Sequence, residues 1–141
     1  MNDNTKKSKQ ELLKNGYTLV LSNGENIITS RDRGVKPLLK LLETEGQCSL
    51  YSAADKVVGA AAAYLYVLLD VKEIYASVLS ENAEAVLIKN GITFFADNTV
   101  PYIINRKGDG MCPMENAVQN AVSPEDALVK IRNQLEKLKN G

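Results

Sequence analysis

From Val57 to Leu69 the chain carries no charged side chain, and Lys56 and Asp70 close the run at either end. A bilayer span needs about 20 apolar residues, so this segment is short for a membrane and suited to the inside of a domain. Read as a helix it is apolar nearly all round, and a helix with no polar face has to be covered on every side. Gly59 and Ala60 to Ala63 add a run of small residues that lets a sheet or another helix come close. Ser52-Ala53-Ala54-Asp55 has the capping-box pattern, which predicts a helix over 56–70 at the centre of the fold. Every other element has to be arranged around it.

The flanking segments supply the cover. A short helical pattern over 8–15 stops at Gly16, and residues 1–9 are expected to be a flexible lead-in. Tyr17 to Ser22 and Glu25 to Ser30 are β-rich runs joined by Asn23-Gly24, the strongest short-range hairpin signal. Leucines at 38, 39, 41 and 42 mark an amphipathic helix over 34–45 that ends at Gly46. Cys48 to Tyr51 reads as a short strand, Lys72 to Leu79 as a strand, Ser80 to Lys89 as a helix, and Ile92 to Phe95 as a strand. Val100 to Ile104 reads as a further extended piece, and Pro124 to Lys139 as a terminal amphipathic helix. A hairpin followed by alternating helices and strands implies one mixed sheet with helices on both faces, an α/β three-layer sandwich. At 141 residues and 45% hydrophobic content, one domain over 1–141 is expected.

Charge and residue usage narrow the chemistry. Seventeen basic and seventeen acidic residues balance, so the basic field that holds nucleic acid is missing, and no nucleic-acid partner is expected. The one basic cluster, Lys6, Lys7, Lys9 and Lys14, reads as a solvated helix or frayed end. With no histidine, Ser-His-Asp and Cys-His catalysis and His-ligated zinc are excluded. Cys48 and Cys112 are too few for a disulfide framework or a four-cysteine zinc site. The expectation is a cytoplasmic protein with reduced thiols, no membrane partner and no cofactor.

Cys112 stands where a helix cap belongs. Ser123-Pro124-Glu125-Asp126 and Cys112-Pro113-Met114-Glu115 are built alike, each placing proline at the first helical position. Ser123 is a good N-cap, whereas sulfur is a weak acceptor, and a helix start favours a thiolate. Glu115 and Asp109 oppose that charge. Cys112 reads either as a functional thiol or as a small apolar plug; Cys48 reads as buried filler.

The order helix, hairpin, helix, buried helix, strand, helix, strand, helix resembles the cytidine deaminase-like fold. More closely, Asp55-Lys56-Val57-Val58-Gly59-Ala60-Ala61-Ala62, Ser80-Glu81-Asn82-Ala83 and Gly110-Met111-Cys112-Pro113-Met114-Glu115 resemble a small prokaryotic family of unknown function that adopts this fold. The resemblance spans roughly 10–138. In true deaminases one helix start carries a zinc ligand and a catalytic acid, and the next carries two zinc cysteines. Here those positions would be Asp55 with Val57, and Ser80 to Ala83, so the resemblance implies the fold without zinc.

Two readings follow. In the first, the domain binds a nucleotide-like or other small polar molecule, using helix starts at Asp55-Lys56 and Ser80-Glu81 and the loop 105–112, with Asn105, Arg106 and Asp109, as a lid. In the second, a zinc-independent enzyme uses Cys112 as nucleophile or redox thiol, with Asp55, Lys56 or Glu115 giving acid-base help. The absence of histidine as a base favours the first. Asp55 also reads as a mere partner of the Ser52 cap, Lys56 as solvent-facing, and Ser80 as an ordinary N-cap. No spacing motif supports a metal at Asp55, Cys112 and Glu115. The hairpin edge and the apolar helix leave room for homo-oligomers.

Overall fold

The computed structural model describes residues 1–140. In chain order the elements are α1 (Asp3–Asn15), β1 (Leu19–Ser22), β2 (Ile27–Ser30), α2 (Lys36–Thr44), β3 (Ser52–Val58), α3 (Ala60–Leu69), β4 (Glu73–Ser80), α4 (Glu81–Lys89), β5 (Thr93–Val100), α5 (Pro113–Ala117) and α6 (Pro124–Asn140). They form a mixed α/β domain around one five-stranded sheet of order β2-β1-β3-β4-β5. β1 is antiparallel to β2 and β3, while β3, β4 and β5 run parallel.

Strand alternation sorts the side chains to the two faces of the sheet. Leu19 and Leu21, Ala53, Ile74 and Ala76 join the larger core cluster with α2, α3, α4 and α6. The residues between them, Val20, Ala54 and Tyr75, join a smaller cluster with Leu12 of α1. α3 is covered over most of its surface: Ala60 to Ala63, Leu65, Tyr66 and Leu69 are buried, while Tyr64, Val67 and Leu68 on the remaining side are half-buried. Leucine at Ala61, only 2% exposed, is therefore expected to cost about 1–3 kcal/mol by overpacking. A urea midpoint unchanged from wild type would remove α3 from the core.

Four local expectations are corrected. The capping-box pattern at Ser52 to Asp55 is not a helix start: these residues lie in β3, paired to β1 on one side and β4 on the other, and the helix begins at Ala60. Pairing on both edges outweighs a local helix signal, and with Ser52, Ala53 and Ala54 buried in succession there is no alternation to reveal the strand. Cys48 to Tyr51 is a turn, closed by the Tyr51 N–H on the Cys48 carbonyl at 2.9 Å. β5 runs on to Val100, leaving Ile104 only an isolated bridge to Met111. The first helix begins at Asp3, because Asn2 caps it by accepting from the Thr5 N–H at 2.7 Å. The Asn2 N–H also donates to Glu73 at 2.7 Å, tying down a lead-in expected to be flexible. The hairpin, α2, β4, α4 and α6 stand where the sequence puts them, give or take a terminal residue or two.

Candidate functional site

Val58 of β3 pairs with Leu79 of β4 in parallel register. The next residues, Gly59 and Ser80, therefore leave the sheet side by side, about one strand spacing of 4.8 Å apart. Each is the N-cap of a helix, Gly59 for α3 and Ser80 for α4. Two helix starts, each with unsatisfied N–H groups and a partial positive charge, thus open on the same edge of the sheet.

The two starts are capped differently. Ser80, fully buried, accepts the Ala83 N–H on its own Oγ at 3.0 Å. Gly59 has no side chain to offer, and the role passes to Glu115 from α5: the Ala60 N–H donates to Glu115 Oε2 at 2.5 Å. Glu115 is 1% exposed, and its other oxygen, Oε1, has no hydrogen-bond partner. Gly59 has to be glycine for room. Its backbone is ordinary extended chain, but a Cβ would stand 2.6 Å from Glu115 Oε2 and 3.0 Å from Ile103 Cγ1.

The segment after β5 holds Glu115 in place. The Cys112 N–H donates to the Ile103 carbonyl at 2.8 Å, folding residues 103–112 into an arm whose Ile103 side chain reaches Gly59. At its tip Asn105 and Asp109 bond each other, through Asn105 Nδ2 to Asp109 Oδ1 at 2.8 Å and the Asp109 N–H to Asn105 Oδ1 at 3.2 Å. Arg106 is exposed and makes no hydrogen bond or ion pair among the described residues.

Of the residues singled out in the sequence, Glu115 and Ser80 both lie at this edge, one capping α3 and the other α4, with Glu81 exposed in the first turn of α4. Asp55 and Lys56 are set back within β3. Asp55 accepts from the Tyr66 hydroxyl at 2.6 Å and from the Val57 N–H at 3.3 Å. Burial pushes its carboxyl up to about 7, against the pull of those two bonds and the Lys56 N–H. Lys56 is exposed. Cys112 is the N-cap of the short α5 and makes no cap bond, as a sulfur should; it is half-buried against the larger core cluster. Ser123, its serine counterpart, does cap, accepting the Asp126 N–H at 3.0 Å, while Asp126 reaches the Val122 N–H. Cys48 is 1% exposed, and burial, then Glu45, pushes its thiol up. Iodoacetamide at neutral pH is accordingly expected to label Cys112 well before Cys48 in the folded protein. Equal rates at the two thiols, read by peptide mass spectrometry, would contradict this.

Sequence reasoning named Glu115 as acid-base help and missed its pairing with Gly59. A glycine directly before an alanine helix, with no capping side chain of its own, is the only local signal, and nothing in the sequence connects it to α5. The hydrogen bond from the Tyr75 hydroxyl to Asp97, at 2.5 Å on the α1 side of the sheet, had no sequence signal either. Among the described residues no three His, Cys, Asp or Glu side chains group to hold a metal ion, and no helix is long and apolar enough to cross a membrane. One surface groove is lined by Tyr64, Val86, Lys89 and Ser123, and another by Asn23, Gln47, Cys48 and Tyr51. Neither draws on the two helix starts.

No curated protein matches the chain in sequence. A crystal structure at 2.70 Å of a DUF1893 family protein, TM1506 from Thermotoga maritima, superposes with a TM-score of 0.86 at 29% identity, covering 97% of this chain and 92% of that one. The model of the same family, described as a domain of unknown function, matches residues 7–135. The chain belongs to the DUF1893 family.

Proposed function

We propose that this domain binds a small polar molecule at the edge where β3 and β4 end and α3 and α4 begin, without converting it. The reading includes a cytidine deaminase-like three-layer arrangement that has lost its zinc positions. It is supported by the element order, by helices against both sheet faces, and by helix starts at neighbouring strand ends that carry Gly59 to Ala62 and Ser80 to Ala83, with no cysteine or histidine. The observation that carries it is Glu115: a carboxyl with one oxygen bonded to the start of α3 and the other buried without a partner. A buried polar atom left unpaired costs about 1–3 kcal/mol, a cost that a ligand would remove. Arg106 at the tip of the 103–112 arm is free to meet an anionic part of the same molecule, making the arm a lid. Cys112 has no role in this reading, since its sulfur packs on the core and the chain contains no histidine to act as its base.

Native mass spectrometry of the purified protein tests this reading. The expected spectrum contains a small-molecule adduct that denaturation releases, from a protein that frees no ammonia from cytidine, adenosine or guanine. Deamination of any of the three, or one zinc per chain by metal analysis, would overturn it.

A further inference from the structure

We infer that the start of α3 is a recognition site for an uncharged group carrying a hydrogen-bond donor beside an acceptor, such as the edge of a cyclic amide, and that Ile103 roofs it. The inference rests on the binding-module reading above and adds the chemical class of the ligand. Three polar groups are left over at this point. Glu115 Oε1 is buried and takes no hydrogen bond, and no acceptor among the described residues takes the N–H of Ala61 or of Ala62. Ala63 is already spent on the Gly59 carbonyl at 3.0 Å, and Ala60 on Glu115 Oε2.

These leftovers have a definite sense. A carboxyl oxygen asks for a donor, and two helix N–H groups ask for an acceptor. A simple anion answers only the second request. It would also have to sit beside a carboxyl oxygen to which it has no hydrogen to donate. A cation answers only the first and faces the helix dipole. A neutral lactam edge, with N–H next to C=O, answers both, its N–H donating to Oε1 and its oxygen accepting from Ala61 or Ala62. Ala60, Ala61 and Ala62 are at most 7% exposed, and the Ile103 side chain comes to 3.0 Å from where a Gly59 Cβ would be, so entry requires the arm to swing aside.

Amide chemical shifts of Ala60 to Ala62 in nitrogen-15-labelled protein test this with three probes. The probes are δ-valerolactam, its N-methyl derivative, which lacks the donor, and inorganic phosphate. δ-Valerolactam is expected to shift these amides saturably, and the N-methyl compound about ten-fold more weakly or not at all, because its missing donor leaves Oε1 unpaired. Glu115→Gln presents an NH2 where Oε1 stood once its carbonyl takes the Ala60 N–H, and is expected to lose the lactam response. Ile103→Ala, which only thins the roof, is expected to tighten it. Equal response to the N-methyl compound, or no response to the lactam in wild type and Ile103→Ala, would overturn the inference. Phosphate shifting these amides in place of the lactam would also overturn it and leave the broader small-molecule reading standing. That reading fails separately, on the deamination and zinc measurements.

Discussion

Replacing Gly59 by alanine is expected to lower stability by about 2–3 kcal/mol, more than an ordinary glycine-to-alanine change at a helix cap. The backbone tolerates alanine there, since φ is −90° and ψ is 179°. The cost comes from the added Cβ, 2.6 Å from Glu115 Oε2. An exposed carboxylate would swing away at little cost, but Glu115 is buried and holds the Ala60 N–H. Moving it leaves both the N–H and a buried carboxyl unsatisfied. The effect should therefore depend on Glu115: in a Glu115→Ala background the same substitution is expected to cost less than about 1 kcal/mol, with only Ile103 left to crowd it. Chemical denaturation of the four proteins measures the coupling. Additive costs would mean that Gly59 and Glu115 do not share a site.

Asp55→Asn is expected to stabilise the protein, increasingly so as pH rises. Asp55 titrates near 7 in the folded chain and near 3.9 when unfolded. Between those values the folded state binds more protons than the unfolded state, so stability falls as pH rises. The contribution is fully present below about pH 4 and is lost by about pH 7, above which the ionised carboxylate stays buried at a cost. Asparagine remains neutral and still offers an oxygen to the Tyr66 hydroxyl, while its NH2 gives up the 3.3 Å bond from the Val57 N–H, a loss that does not vary with pH. The advantage of the variant over wild type should grow by about 2 kcal/mol between pH 4 and pH 8, allowing for the partial exposure of Asp55. Thermal unfolding of both proteins across that range checks it. Parallel stability curves would mean that Asp55 ionises at its ordinary value.

What the sequence made legible was local. The Asn23-Gly24 hairpin, the leucine stripe of α2 and the caps at Ser80 and Ser123 each depend on residues a few positions apart, and each is present. The all-apolar run marked α3 as the helix most in need of cover, and it packs against β3, α2, α4, α5 and α6 with only Tyr64, Val67 and Leu68 left half-buried. β3 was illegible for a long-range reason. Ser52 to Asp55 carries a good helix-start pattern, and only pairing with β1 and β4 makes those residues a strand, with Ser52 hydrogen-bonded to Asn2 and Asp55 to Tyr66. That error placed the first helix start at Asp55-Lys56 and hid Gly59. Ser80 and Glu115 were named as candidates, but only the register of Val58 with Leu79 and the fold-back of the arm at Ile103 and Cys112 bring them to one edge.

Spectra of nitrogen-15-labelled protein, recorded before and after adding the small-molecule fraction of a bacterial lysate, test the central claim most directly. A binding module built on these helix starts predicts shifts clustered at Gly59 to Ala62, at Ser80 to Ala83 and along residues 103–115, with the rest of the sheet unmoved. Shifts confined to the groove beside Tyr64, Lys89 and Ser123, or to the turn at Cys48 to Tyr51, would place the ligand elsewhere and contradict the account.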